Sequence, residues 1–431
     1  GRAFHRVWQH RDQLGELENK VLAEHVQAGS YPRQIRATLR DAAVYLWVEQ
    51  LRNTGTWRPE QRAAKHRLNL AALLSGKVPV VSPADPEQHP ILRMAWLLAE
   101  HEAWHAAAKR REAALEAFLV RIEMLNASFS RREDRDTIRA ALAQRLAGEK
   151  GLKWWTKGMA TLAEFTRDRG APTAWVEALQ IAREGQAADP ESVGGQRCQS
   201  IIDRLLAPSF ELDGMRNDAA SRRSIGLQYK NLERLHFRAW KIDLTRFMFG
   251  QKDYNLLPND RFLRPLIEQQ EANHAWSVDL QKTEDLRTHR HWVVPPIKEK
   301  GAYAVVASPD PEFDLGDAPA RAVLLVVSDI TLLRRSPEKA LEFYTLSGQT
   351  GEPIAGARVR LYQRDWRKGH HLVATQRSDK TGKALFKGKQ RGNLFAVADT
   401  KTDLSVETSY MGFGSRWRQS AVSTSLVYTD R

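Results

Sequence analysis

The sequence predicts an α+β multidomain chain: an irregular all-α helical array over residues 1–206, then two antiparallel β-sandwich domains at 207–313 and 314–431. Three observations predict it. Apolar residues recur at three- and four-residue spacings through the first 206 positions, alternate with period two after Ala207-Pro208, and are punctuated by turn residues every eight to twelve positions in the last third. At 431 residues the chain is also too long for one ordinary core, and about 150 residues per domain gives three units.

Leu14, Leu17, Val21 and Val26, then Ile35, Leu39, Ala42, Ala43 and Leu46, place apolar side chains on one face of successive amphipathic helices. Gly29-Ser-Tyr-Pro32 and Asn53-Thr-Gly55 break the helices, and residues 77–90, with four prolines, read as a loop. Helical patterns resume at 91–126, 134–147, 154–169 and 172–184. Asp189-Pro190 ends the last of these, and Gly194-Gly195 precedes a short helix at 198–206. Helices of this length joined by short turns suggest paired stacking, with no fixed repeat period.

Beyond Pro208, residues 224–229 and 236–242 alternate and read as two paired strands around a Lys230-Asn231 turn. Residues 247–271 form an irregular insertion, and strands return at 276–280, 291–294 and 303–307. The Asp- and Pro-rich stretch 309–319 reads as the linker. The final sandwich then begins with the apolar run Ala322-Val-Leu-Leu-Val-Val327 and continues at 340–346, 357–362, 372–377, 383–386 and 394–398. The turns include Asp379-Lys-Thr-Gly382 and Arg391-Gly392, and residues 425–431 read as the start of a strand whose continuation lies outside the chain.

Composition narrows the function. No apolar run approaches the ~20 residues that cross a bilayer. A single cysteine, Cys198, rules out an internal disulfide and any Cys-rich zinc module. Gly1 carries no basic-then-apolar leader, as expected of a chain whose signal or anchor segment has been removed or left out. The net charge of +14 raises nucleic acid as a partner, but 13 basic and 6 acidic residues from Leu361 onward are spread over strands and turns. With no RNP-like, helix-turn-helix or zinc-finger pattern beside them, a solvated basic face that could meet an anionic envelope surface is the better reading.

One segment carries an enzymatic signature, His101-Glu102-Ala103-Trp104-His105. On a helix both imidazoles share a face and could grip zinc while Glu102 activates its water. A third ligand is needed, and the downstream candidates Glu112, Glu116 and Glu123 continue a charged, Ala-rich helix with no second motif, so packing at a helix edge outweighs a metal site. His289 and His291 alternate on a strand and His370-His371 sits at a turn, where exposed polar roles suffice. Trp154, Trp155 and Trp240 read as core, and Cys198 as a buried small apolar residue. No phosphate loop, nucleophile elbow or carboxylate pair is present, so no catalytic or cofactor site is expected.

Several phrases match a known family. Thr345-Leu-Ser-Gly-Gln-Thr-Gly351-Glu-Pro-Ile-Ala-Gly356-Ala-Arg-Val-Arg-Leu-Tyr362, with Asp379-Lys-Thr-Gly-Lys-Ala-Leu-Phe386, resembles the macroglobulin-like domains of bacterial alpha-2-macroglobulin proteins. Asp189-Pro-Glu-Ser-Val-Gly-Gly-Gln-Arg-Cys198, followed by Ala207-Pro208-Ser-Phe210, is similar to the family's junction between its helical region and first such domain. Tyr229-Lys-Asn-Leu-Glu-Arg-Leu-His-Phe-Arg-Ala-Trp240 resembles that domain's strand pair, and Val427-Tyr-Thr-Asp-Arg431 the lead into the next domain. Ile91-Leu-Arg-Met-Ala-Trp-Leu-Leu-Ala99 resembles a family segment associated with helix packing.

The resemblance implies an envelope-associated, periplasmic protease trap, in which cleavage of a bait segment triggers collapse around the attacking endopeptidase. Cys198-Gln199-Ser200-Ile201 does not match a Cys-x-x-Gln thioester, and no bait segment can be assigned, so both are expected beyond Arg431 if present. The expectation is a non-catalytic scaffold with no cofactor, whose partners are target endopeptidases, through the full-length protein, and further macroglobulin-like domains. Two rivals stand beside it: a zinc metallopeptidase built on His101, Glu102 and His105, and an envelope adaptor that binds a protein partner through its helical array.

Overall fold

The computed structural model describes residues 2–22, 31–78, 82–214, 224–250, 260–269, 271–314, 320–337, 340–365, 367–388 and 393–413. The helix break expected at Gly29-Ser30, the turn at Arg391-Gly392 and the strand expected at 425–431 lie outside them. The chain divides into a helical unit, Gly1–Ala207 with Asp285–Arg287, and a β-rich unit, Pro208–Glu284 with Thr288–Arg431.

The helical unit contains α1 (Arg2–Gln9), α2 (Arg11–Glu16), α3 (Leu39–Arg52), α4 (Pro59–Ala63), α5 (Leu70–Ser75), α6 (Pro90–Ala107), α7 (Arg111–Ser128), α8 (Arg132–Ala147), α9 (Trp155–Arg167), α10 (Ala174–Ala188) and α11 (Val193–Leu206). α6 starts where Pro90 occupies its first turn and His89 Nδ1 accepts from Ile91 N. It packs against α3 and α7, while α9, α10 and α11 pack pairwise. One continuous core runs through them, including Trp47, Leu97, Leu125, Trp154, Trp155 and Cys198.

Three helical readings change. Leu17 and Val21, expected on the apolar face of a helix, are exposed: Leu17 is extended after α2 and Val21 lies in a 3-10 turn, Asn19–Leu22. Along α3, Leu46 is exposed and Val44, Trp47, Val48 and Leu51 are buried, together with Arg40 and Asp41. The apolar count had pointed to the wrong stripe because two polar residues occupy part of the inner face. Gly194 and Gly195, expected ahead of the last helix, lie inside its first turn after the Ser192 cap. They permit close approach: a Cβ on Gly194 would fall 2.1 Å from the Lys157 backbone nitrogen on α9, and one on Gly195 2.0 Å from the Asp189 carbonyl oxygen.

The β-rich unit holds two sandwiches with one strand order. The first comprises β1 (Ser209–Gly214), β2 (Ile225–Lys230), β3 (Arg234–Ile242), β4 (His274–Asp279), β5 (His289–Val293), β6 (Gly301–Ser308) and β7 (Arg321–Val327). Its sheets run β1-β2-β5 and β4-β3-β6-β7. The second comprises β8 (Ile330–Arg335), β9 (Ala340–Ser347), β10 (Arg358–Gln363), β11 (His371–Arg377), β12 (Lys383–Lys387), β13 (Leu394–Asp399) and β14 (Leu404–Met411). Its sheets run β8-β9-β12 and β11-β10-β13-β14. Counting strands from the start of each, both are 1-2-5 over 4-3-6-7, and every pairing is antiparallel.

The boundary between the sandwiches therefore falls at Ser328-Asp329 and not at residues 313–314. The apolar run 322–327 pairs with β6 as the last strand of the first sandwich, and the Asp/Pro-rich stretch is the β6–β7 connection. A buried strand reads the same whichever neighbour it bonds to, so sequence could not assign it. Residues 224–229 and 236–242 are corrected for a similar reason. β2 bonds to β1 and β5, β3 to β4 and β6, and the Lys230-Asn231 corner, with Asn231 at φ 54°, carries the chain between sheets. Alternation and a turn describe an inter-sheet corner as well as they describe a hairpin.

The insertion after β3 supplies α12 (Leu244–Gly250) and α13 (Asp260–Gln269). Tyr303, Val305 and Ala307 of β6 point into the first sandwich, whereas Ala302 points to α12, and Ala304 and Val306 to α13. In β13, Leu394, Ala396 and Ala398 fill the second sandwich, while Phe395 and Val397 face the same α12 cluster with Leu244 and Met248. Both faces of these strands are covered, which is why they read as unbroken apolar runs. At the junction, the Asp403 carboxylate accepts from Lys300 Nζ at 2.7 Å and from Asp329 N at 2.9 Å.

Candidate functional site

The His101-x-x-x-His105 pair sits on α6, four residues apart on one face, and that face meets the first turn of α3. Thr38 caps α3, and Asp41 completes a capping box. Asp41 Oδ2 accepts from Thr38 N and Thr38 Oγ1, both at 2.8 Å, while Asp41 N donates to Thr38 Oγ1 at 3.2 Å. This fixes the carboxylate and leaves Oδ1 aimed at α6. His101 Nε2 lies 2.9 Å from Oδ1, His105 Nε2 2.8 Å, and the two Nε2 atoms are 3.2 Å apart.

All three side chains are buried, His101 and Asp41 at 0 % exposure and His105 at 1 %. Trp104 stacks on His101, Tyr45 meets the same ring edge-on, and the Arg40 and Arg110 guanidinium groups lie over Trp104. Burial pushes the His101 imidazole down to about 4 against the opposing pull of Asp41, so it is neutral at pH 7. Burial alone would raise the Asp41 carboxyl; the hydrogen bonds from His101 and His105 outweigh it and hold the group ionised. Neutral imidazole and ionised carboxylate are the forms in which these side chains act as metal ligands. Among the described residues this is the one group of three or more His, Cys, Asp or Glu whose ligand atoms converge, all within 4.8 Å of one another.

Glu102 does not join them. Its carboxylate pairs with Arg121 Nη2 at 2.5 Å and Arg145 Nη2 at 3.4 Å. The downstream candidates are engaged elsewhere as well. Glu112 accepts from Lys153 N, Glu116 holds Arg36 and Trp154 Nε1, and Glu123 pairs with Lys157 and accepts from Thr161. The structure thus brings His101 and His105 together, separates Glu102 from them, and supplies a third donor sixty residues upstream. Thr38-x-x-Asp41 has the spacing of a capping box but was not singled out, and nothing in sequence shows that the second oxygen of a capping carboxylate faces another helix.

The remaining singled-out residues lie apart from this site. His291 is exposed and His289 half-buried on β5, and His370 Nδ1 accepts from Asp365 N at a turn. Trp154, Trp155 and Trp240 are buried, as is the Cys198 thiol, which burial pushes up to about 11. No described helix is long and apolar enough to cross a membrane.

No protein-family model matches the chain, and no curated protein matches it. Several solved structures do. Native alpha-2-macroglobulin from Escherichia coli spanning domains MG0-NIE-MG1 is 16% identical over 47% of this chain and 64% of that one, with a TM-score of 0.36. A structure of the same protein spanning NIE-MG1 is 15% identical over 47% of this chain and 98% of that one, TM-score 0.36. A mutant Salmonella alpha-2-macroglobulin is 12% identical over 46% of this chain, TM-score 0.33, and the match spans 12% of its length. The chain is thus structurally similar, over about half its length and at low identity, to bacterial alpha-2-macroglobulin structures.

Proposed function

We propose that this chain is a non-catalytic scaffold region of a bacterial alpha-2-macroglobulin-like endopeptidase inhibitor, in which a helical array precedes the first macroglobulin-like domains. The observation that carries the reading is the duplicated sandwich, 1-2-5 over 4-3-6-7 in both copies. The two resembling phrases, Tyr229 to Trp240 and Thr345 to Tyr362, occupy the same place in each copy, the passage from the second strand to the third. A tandem of one domain type fits a chain whose work is to hold a large assembly, and the withdrawal of Glu102 into ion pairs removes the water-activating base that a peptidase reading needs.

On this reading the target endopeptidase meets the full-length protein in the periplasm or at the envelope, and the bait segment and any thioester belong to other domains. The test compares the 431-residue chain with the product of its complete reading frame. The full product is expected to shield a bound protease from a macromolecular substrate, while the isolated chain neither inhibits nor cleaves. A reading frame without further macroglobulin-like domains, or hydrolysis of peptides by the chain itself, would sink the proposal.

A further inference from the structure

We propose that Asp41, His101 and His105 form a binding site for a divalent transition metal, zinc above others, that clamps α3 to α6 and has no peptidase chemistry. The argument starts from geometry. The three donor atoms form a nearly equilateral triangle with sides of 2.8, 2.9 and 3.2 Å. As plain hydrogen bonds this is a poor arrangement, because the two N–H groups approach Oδ1 from directions about 70° apart, while the lone pairs of a carboxylate oxygen diverge by roughly 120°. A cation above the triangle, about 2.1 Å from each donor, lets all three present lone pairs to one centre.

The ligand chemistry agrees. Two imidazoles with a carboxylate suit zinc and its neighbours in the first transition row, and are a poor match for calcium or magnesium, which take oxygen ligands. Each imidazole already points Nε2 at the centre of the triangle, and offers its lone pair there once the ring proton sits on Nδ1. The carboxylate is already oriented by Thr38 through Oδ2, so little freedom is lost on coordination. Three protein ligands leave one position for a water, as in hydrolytic sites. Glu102, however, is held by Arg121 and Arg145, and the ligands are 0 to 1 % exposed, so the water has neither a base nor a route to a peptide. What remains is a cross-link between residues sixty positions apart, the kind of closure that stabilises by restricting the unfolded chain.

The proposal stands apart from the protease-trap reading, since a clamped helical array serves any partner, and its test does not involve protease inhibition. The purified chain is stripped with dipicolinate, given one equivalent of zinc, passed through gel filtration and analysed for metal. One zinc per chain is expected, with a melting temperature several degrees above the stripped protein. Asp41→Asn and His105→Ala should each lower zinc affinity at least tenfold, while the double variant His289→Ala/His291→Ala, altered on an exposed strand, should retain the metal. Should either ligand variant fail to fold, cobalt added to the stripped wild-type chain decides the matter through the intense visible bands of a four-coordinate site. Failure of the folded wild-type chain to take up zinc or cobalt, or undiminished zinc binding by folded Asp41→Asn, would overturn the site. Peptide hydrolysis by the zinc form that Glu102→Gln abolishes would overturn the assignment of a purely structural role.

Discussion

Gly194 separates two opposing influences on helix stability, and replacing it with alanine shows which one the tertiary structure makes dominant. By intrinsic propensity Gly194→Ala should stabilise α11 by about 1 kcal/mol, since glycine is the poorest non-proline helix former. In the folded chain the new Cβ would lie 2.1 Å from Lys157 N, 2.2 Å from Thr156 Oγ1 and 2.3 Å from the Thr156 carbonyl carbon. Two of these are backbone atoms inside α9, which cannot rotate away as a flexible side-chain end could. Relieving the overlap requires α11 to move off α9 by about 1 Å, opening the contacts around Cys198, Met159 and Ala160, and overpacking of this kind costs about 1–3 kcal/mol or more. Because two of the overlaps are with backbone, the cost falls at the upper end, about 3 kcal/mol, and the net effect is a loss of about 2 kcal/mol, or ~4–8 °C in melting temperature for a unit of this size. Gly148→Ala is the control: its φ is −87° and its Cβ would meet nothing closer than Arg145 O at 3.6 Å, so a gain of about 0.4–1 kcal/mol is expected. Thermal unfolding followed by circular dichroism measures both. If Gly194→Ala melted at or above the parent temperature, the close α9–α11 approach and the reasoning from it would be wrong.

Three further outcomes follow from other parts of the structure. Cys198 should resist a thiol reagent at pH 8 in the native chain and react once the chain is unfolded. Because its thiol is raised from 9.0 to about 11, its contribution to stability is complete below about pH 9 and is lost as pH rises through 11, a loss of about 2–3 kcal/mol that Cys198→Ala should remove from an alkaline denaturation series. Phe395→Ala should cost about 3–5 kcal/mol and speed amide exchange in both sandwiches together, since the ring is fully buried between Tyr362 and the α12 cluster; exchange confined to the second sandwich would contradict a shared interface. Glu102→Gln should destabilise the helical unit by about 2–4 kcal/mol by leaving the buried Arg121 guanidinium without its carboxylate, yet leave zinc retention unchanged; parallel loss of metal would place Glu102 among the ligands.

The class of each region was legible because it depends on local periodicity. α6 through α11 were readable from apolar spacing and from Pro90, and β9 through β13 of the second sandwich from the turns between them. Strand partners were not. β7 passed for the first strand of a new domain, and β2 with β3 passed for a hairpin, because a strand's residues specify which face is buried and not which neighbour completes its hydrogen bonds. β1, β8 and β14 went unmarked, and with them the strand order that the two sandwiches share, since the connection after β3 carries two helices where that after β10 is a short turn. The candidate site divided in the same way. His101 and His105 were found from their spacing, whereas Asp41 was found only by the packing of α3 on α6.

By itself, then, the sequence determined an α-helical array followed by antiparallel sandwiches, a helical face bearing two histidines, and the phrases that resemble bacterial alpha-2-macroglobulin domains. Each is written in residues a few positions apart, where spacing and turn chemistry act directly. Tertiary structure alone decided the sandwich boundary at Ser328-Asp329, the shared strand order, the turning of Glu102 toward Arg121 and Arg145, and the arrival of Asp41 beside the imidazoles. All four depend on which surfaces meet after collapse, and that choice rests on the fit of whole faces, to which no single stretch of sequence holds the key.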